Sequence, residues 1–93
     1  MNPTDQFFRH EAGKLVSALT RYFGIKNLSM AEDVAQETLL SAYELWKFHP
    51  LPDNPSAFLF QAARNKALDI LRRQAIFNRL APELQRILES EGP

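Results

Sequence analysis

The chain has 93 residues, of which 45% are hydrophobic and 24% are charged, and its 11 basic and 11 acidic side chains give a formal net charge of zero. This balance is typical of one small globular domain and excludes a disordered or fibrous chain. The absence of cysteine excludes disulfides, thiolate metal sites and cysteine nucleophiles. A domain of this size has one core and little room for an enclosed active site.

The N-terminal stretch MNPTDQFFRHEAGK has none of the features of a secretion signal. It lacks a basic start, an apolar run and a cleavage site of small residues. No apolar run approaches the ~20 residues that are needed to span a bilayer. We therefore expect a cytoplasmic protein without membrane contact, and no motif predicts a metal ion or another cofactor.

The first helix is predicted from Pro3 to Phe23, because apolar residues recur on one face with the helical period. Gly24 supplies a C-terminal stop. The predicted core positions of this helix are Phe8, Ala12, Leu15, Leu19 and Tyr22.

A second helix is predicted to start at SMAE, where Ser29 and Glu32 have the spacing of a reciprocal capping box. It should continue to about Lys47. The segment FHPLPDNP then ends it, since three prolines in eight residues are incompatible with a helix interior.

The third helix is predicted to begin with Asn54 as the N-cap and Pro55 at the first helical position, and to end near Phe77. A short fourth helix, PELQRILES, is expected after Pro82. The predicted fold is therefore all-α, a compact three-helix bundle with a short C-terminal fourth helix. The predicted domain covers residues 1–77, and residues 78–93 form a C-terminal helix or the start of a linker.

The second helix has two distinct faces at 100° per residue. The predicted core face consists of Ala31, Val34, Ala35, Thr38, Ala42, Leu45 and Trp46. The opposite face consists of Asp33, Gln36, Glu37, Leu40 and Glu44. From pattern alone this second face is interpreted as a solvated acidic surface, because a single exposed leucine is ordinary.

The third helix is divided in the same way. Its predicted core residues are Leu59, Phe60, Ala63, Ala67, Ile70 and Leu71. Its outer face consists of Phe58, Gln61, Arg64, Asn65, Leu68 and Arg72. Aromatic rings stack on unpaired bases, amides bond to base edges and guanidinium groups neutralise phosphates, so this face is a candidate for nucleic-acid binding. The alternative is that Phe58 packs under the proline-rich loop and the basic residues are only solvated.

The stretch AEDVAQETLLSAYELW, a proline-bearing loop and NPSAFLFQAARNKALDILRR together resemble region 2 of the sigma-70 family of bacterial RNA polymerase sigma factors, in the extracytoplasmic-function (ECF) group. The resemblance covers about residues 5–75. It implies that the second helix docks on the clamp helices of the beta-prime subunit of RNA polymerase. The implied docking positions are Asp33, Gln36, Glu37 and Leu40, with Glu44 on the same stripe.

The resemblance also implies that the third helix and the loop before it melt promoter DNA and bind the −10 element of the non-template strand. The corresponding positions are Asn54, Phe58, Gln61, Arg64, Asn65, Lys66, Arg72 and Arg73. Asn54 and the PLPDNP loop are candidates for holding a flipped base. The family commonly has Trp where this chain has Phe58. An anti-sigma factor is a further candidate partner, and the −35-binding region 4 of such sigma factors is not part of these 93 residues.

Two other functional classes, an enzyme and a protein–protein adaptor, would make different use of the same residues. An enzyme would have to use His10 with Glu11, His49 or the acidic cluster near Asp33, and none of these forms a known catalytic spacing. A helical protein–protein adaptor that binds no DNA would use the same acidic stripe and leave the basic residues of the third helix idle. The sequence therefore predicts a binding domain rather than an enzyme.

Overall fold

The computed structural model describes the backbone of residues 3–90 and the side chains of residues 6–90. It contains three α-helices, α1 (Pro3–Phe23), α2 (Leu28–Leu45) and α3 (Pro55–Ser90), and a 3₁₀ turn at Ile25–Asn27. No strand occurs within these residues. The all-α prediction is confirmed, while Met1, Asn2 and residues 91–93 of the predicted segments lie outside the described residues.

The turn between α1 and α2 depends on Gly24, whose φ of 96° is in the left-handed region that favours glycine. Its N–H donates to the carbonyl of Thr20, and the Asn27 side-chain amide donates to the carbonyl of Phe23. These bonds satisfy carbonyls at the end of α1. The predicted end of α1 at Phe23 is therefore confirmed.

The predicted capping box at Ser29 and Glu32 is wrong. The N-cap is Asn27, two residues before the predicted cap at Ser29, and the helix begins at Leu28 without a side-chain capping bond. The 3₁₀ turn leads directly into α2, so Ser29 already lies inside the first helical turn. The Asn27 amide is instead used to satisfy α1.

The start of α3 agrees with the prediction. The Asn54 side-chain oxygen accepts the N–H of Ala57 at 3.1 Å, and Pro55 is the first helical residue. An N-cap oxygen of this kind contributes about 1 kcal/mol by satisfying an otherwise free N–H.

The C-terminal half of the chain differs from the prediction. Residues beyond Phe77 continue in α3 without a break to Ser90, with Pro82 inside the helix, so the separate fourth helix is wrong. Pro82 cannot donate to the carbonyl of Asn78 and its ring crowds that carbonyl, but both residues are exposed, so the unpaired carbonyl lies where water can reach it. The surrounding residues are mostly strong helix formers. The long helix makes the molecule elongated, about 61 × 29 × 24 Å.

The core lies between the three helices and is rich in small residues. The buried apolar residues are Leu15, Leu19, Ala31, Val34, Ala35, Ala42, Leu59, Ala63 and Ala67. Small side chains let helices approach closely, at the short end of the 8–10 Å range of interaxial distances. Three residues predicted in the core are exposed instead, because each lies at the edge of the bundle: Tyr22, Leu45 and Ile70.

The part of α3 beyond the bundle exposes an apolar stripe. Its members are Ile76, Phe77, Leu80, Leu84, Ile87 and Leu88. No residue from 72 to 90 is fully buried, so this segment adds little to the core.

A buried carboxylate joins α1 to the first turn of α3. Glu11 is only 6% exposed, and its Oε1 accepts a hydrogen bond from the Ser56 hydroxyl at 2.7 Å. Lys14 Nζ lies 3.5 Å from the same oxygen. Because an unsatisfied buried carboxylate is costly, this contact fixes where α3 begins relative to α1.

Replacing Ser56 with Ala is expected to destabilise the domain by roughly 1–3 kcal/mol, because it leaves the Glu11 carboxylate without its hydroxyl donor. Thermal unfolding followed by circular dichroism would measure the change. Ser41→Ala, at an exposed position of α2, is the matched control and should stay within about 0.5 kcal/mol of the parent. Equal stability of the two variants would contradict a structural role for the Glu11–Ser56 bond.

Candidate functional site

The outer face of α2 projects from the bundle. All five of its predicted residues, Asp33, Gln36, Glu37, Leu40 and Glu44, are exposed. Leu40 is 64% exposed in the middle of the acidic side chains. The helix therefore presents an apolar centre with a carboxylate and amide rim, while its opposite face holds the core residues Val34 and Thr38.

Two ion pairs involve this face. Glu44 pairs with Lys47 on the next turn at 3.2 Å, and Glu37 Oε2 lies 2.7 Å from Lys66 Nζ on α3. Both pairs are solvent-exposed, so each contributes only about 0–1 kcal/mol. The Glu37–Lys66 pair nevertheless joins a predicted polymerase-binding residue to a predicted DNA-binding residue.

A shallow groove extends the face towards the C-terminus of α2. It is lined by Leu40, Ser41, Glu44, Leu45, Phe48 and His49. Phe48 is 82% exposed, the most exposed large apolar side chain within the described residues. This groove was not predicted from the sequence, although a phenylalanine next to a proline-rich loop was a usable signal.

The outer face of α3 begins at the loop. Of its predicted residues, Asn54, Gln61, Asn65, Arg72 and Arg73 are exposed, Phe58 is 39% exposed, and Arg64 and Lys66 are half-buried. The Asn54 side chain is already engaged as the N-cap through its oxygen. Arg73 pairs with Asp69 one turn earlier at 3.0 Å. The structure thus places Asn54, Phe58, Gln61, Asn65 and Arg72 on one exposed side, with Arg64 and Lys66 at its two half-buried edges and the charges of Lys66 and Arg73 already paired.

Phe58 lies on an aromatic cluster that sequence reasoning missed. Its ring centroid is 5.9 Å from that of Trp46, and Trp46 is 6.2 Å from Phe8 and 6.4 Å from Phe7. Trp46 lies directly after α2, so the cluster connects all three helices. Such aromatic contacts are worth about 0.5–1.5 kcal/mol each beyond burial. One side of the Phe58 ring therefore packs against Trp46, and the remainder of the side chain is exposed to solvent.

The possible catalytic residues are not brought together as a reaction centre. His10 and His49 are exposed, and Glu11 is bonded to Ser56. Within residues 6–90 no group of three or more His, Asp or Glu side chains is placed to hold a metal ion.

The sequence matches the family model described as sigma-70 region 2 over residues 7–76, which cover α1, α2 and the bundle part of α3. The chain belongs to the sigma-70 region 2 family. Sigma-70 region 2 is a non-enzymatic domain of transcription initiation factors with a general role in promoter recognition, in agreement with the prediction of a binding domain.

This sigma-70 region 2 domain is also similar to an uncharacterized protein of Rhizobium meliloti (strain 1021), with 38% identity over 68 residues. The matched stretch spans 73% of this chain and 16% of that relative. No solved structure matches the chain significantly. None of the helices in the described part of the domain has the length and apolar character needed to cross a membrane.

Proposed function

We propose that this domain is the region 2 of an ECF-type sigma factor. In this role α2 docks on the beta-prime clamp helices of RNA polymerase, and α3 with its preceding loop melts and binds the −10 element of the non-template strand. The observation that carries the proposal is the family match over residues 7–76, combined with two differently charged faces on adjacent helices. Such a domain acts in the cytoplasm.

The composition of the α2 face supports polymerase docking. Protein interfaces commonly combine an apolar centre with a polar rim, and Leu40 is surrounded by Asp33, Glu37 and Glu44 in this way. Acidic side chains at the rim favour a basic partner surface and speed its association. An anti-sigma factor that covered this face would compete with the polymerase.

The composition of the α3 face supports binding of an unpaired strand. Phe58 offers a ring for stacking, Gln61 and Asn65 offer amides, and Arg72 offers an unpaired guanidinium within the described side chains. Extruding a base costs a few kcal/mol, which stacking of about 1–3 kcal/mol per base can offset. The loop before α3 is the candidate pocket for the extruded base.

Charge reversal at Asp33 is expected to weaken binding of the domain to a clamp-helix fragment of beta-prime by roughly fivefold to a hundredfold, since it places a cation against a basic partner. Asp33 is the better position for this test, because reversal of Glu37 would also break the ion pair with Lys66. Isothermal titration calorimetry at two salt concentrations would measure the change.

Glu89→Lys is the matched control, because it makes the same charge change at an exposed position on the far part of α3. It should leave clamp-helix affinity nearly unchanged, and circular dichroism should find both variants folded. Absence of any binding by the parent domain would refute polymerase docking. An adaptor without a DNA role would bind the clamp helices or another protein normally and have no affinity for a −10 single strand.

A further inference from the structure

The side of α1 that faces away from the core contains a shallow groove unused by the proposed function. Its lining includes Arg9, His10, Gly13, Lys14, Ser17 and Arg21. None of the lining residues is a carboxylate. Arg9 and Arg21 are 12 positions apart, so the cationic lining extends about 18 Å along the helix at 1.5 Å per residue. This length corresponds to about five nucleotides at the 3.4 Å rise of one strand.

The cations of this groove have few partners among the described side chains. Across the side chains of residues 6–90, Arg9 and Arg21 occur in none of the ion pairs. Lys14 has one carboxylate neighbour, Glu11, at 3.5 Å, and that carboxylate already accepts the Ser56 hydroxyl. Clustered unpaired cations in a concave surface raise the local concentration of anions.

The groove is connected to the proposed DNA-binding face. Glu11 precedes Lys14 by one turn of α1 and is hydrogen-bonded to Ser56, which lies in the first turn of α3. The same turn follows the Asn54 cap and carries Phe58. The Ser56 hydroxyl and Lys14 Nζ both lie within 3.5 Å of Glu11 Oε1, so the groove adjoins the first turn of α3 at Lys14.

We propose that the α1 groove holds the sugar-phosphate backbone of single-stranded DNA that leaves the first turn of α3. The inference rests on the proposed DNA-binding function and assigns α1 a separate, sequence-independent part of it. Arg9, Lys14 and Arg21 neutralise phosphates, while base stacking and base-edge contacts remain with α3. Gly13 lies in the middle of the groove, and an added Cβ there would meet no atom within 4 Å, so a side chain can be introduced at this position without a clash.

Substitutions at Gly13 give a direct test that does not threaten the fold, since replacing glycine in a helix interior generally favours the helix. Binding of the full 93-residue chain to a fluorescent mixed-sequence DNA strand would be measured by anisotropy between 0.05 and 0.5 M salt. We expect Gly13→Glu to weaken binding and Gly13→Lys to strengthen it, each by roughly five- to tenfold at 0.05 M salt, while Gly13→Ala matches the parent. Equal affinities of the Glu, Lys and Ala variants at position 13 for the DNA strand would overturn the inference.

The paired variant Arg9→Ala with Arg21→Ala should lower the slope of log affinity against log salt by about 1.4, which is the loss of two single-strand phosphate contacts. Lys26→Ala with Arg79→Ala removes the same charge outside the groove and is expected to keep the slope. If both double variants lowered the salt slope equally, the change would depend on net charge and not on the groove, and the inference would be overturned.

Further measurements distinguish DNA from other polyanions as the ligand of the groove. They also separate failure of the groove proposal from failure of the proposed DNA-binding function. Equal affinity for polyglutamate and for the strand at the same salt would assign the groove to acidic protein and overturn the inference. Normal strand binding with no response to Gly13 substitution refutes the α1 groove alone. No strand binding by the parent chain, together with intact clamp-helix binding, refutes the proposed DNA role and the groove together.

Discussion

Replacing Leu59 with Ala is expected to lower the free energy of unfolding by about 2–5 kcal/mol. Leu59 has no solvent exposure and is one of the three largest fully buried side chains. Five of the nine buried apolar residues are alanines, whose short side chains cannot move to fill a cavity, so a value well above the lower limit is expected. A domain of this size has a total stability of roughly 5–14 kcal/mol, so the loss is a large fraction of it.

Thermal and urea unfolding would measure this loss, with a fall in the melting temperature of at least about 8 °C. Leu84→Ala is the matched control, since it makes the same chemical change on the same helix at a residue that is 48% exposed. The control should change stability by no more than about 0.5 kcal/mol. If the two leucines contributed equally, the segment beyond the bundle would have to pack on something, which would contradict the described arrangement of α3.

Replacing the adjacent residue, Phe58, with Ala is expected to affect DNA binding rather than folding. Loss of one stacked base costs about 1–3 kcal/mol, which corresponds to roughly 5- to 150-fold weaker binding of a −10 single strand. The ring is 39% exposed and contacts Trp46 on one side, so the change in stability should be much smaller than that of Leu59→Ala. The measurement is strand affinity and promoter opening by the domain in complex with RNA polymerase core.

Phe58→Trp is the matched control for ring chemistry, because a larger aromatic surface should preserve or strengthen stacking. Affinity for the polymerase core should be the same for Phe58→Ala, Phe58→Trp and the parent chain. Equal promoter opening by the alanine variant and the parent would exclude a melting role for Phe58. Reduced polymerase binding by the alanine variant would instead indicate that the aromatic cluster positions α2.

Local signals predicted the helices where the physical cause was itself local. Gly24 ended α1 because a positive φ is readily adopted by glycine, and Asn54 capped α3 through a bond to a residue three positions away. The exposed face of α2 also followed from its period. Pro82 misled the prediction for a related reason. The local penalty of a proline inside a helix was outweighed by the helix formers on both sides, at an exposed position where the unpaired Asn78 carbonyl is within reach of water.

The contacts that shape the candidate site could not be predicted, because they join residues far apart in sequence. The Glu11–Ser56 bond spans 45 positions, and Lys66 reaches Glu37 from another helix. No periodicity encodes such pairs. The position of Trp46 beneath Phe58 similarly depends on the path of the loop between α2 and α3. Sequence therefore identified the candidate surfaces, and only the packing revealed which of their charges are already paired.

The alanines of the core have a consequence for mechanics. Ala31, Ala35 and Ala42 on α2, and Ala63 and Ala67 on α3, have few or no rotatable side-chain bonds, so the bundle has little freedom to repack when one helix is pushed. A load on the outer face of α2 is therefore expected to shift α2 and α3 together rather than separately. The two proposed faces adjoin at the Glu37–Lys66 ion pair, and the angle between them is set by helix backbones that are separated mainly by methyl groups.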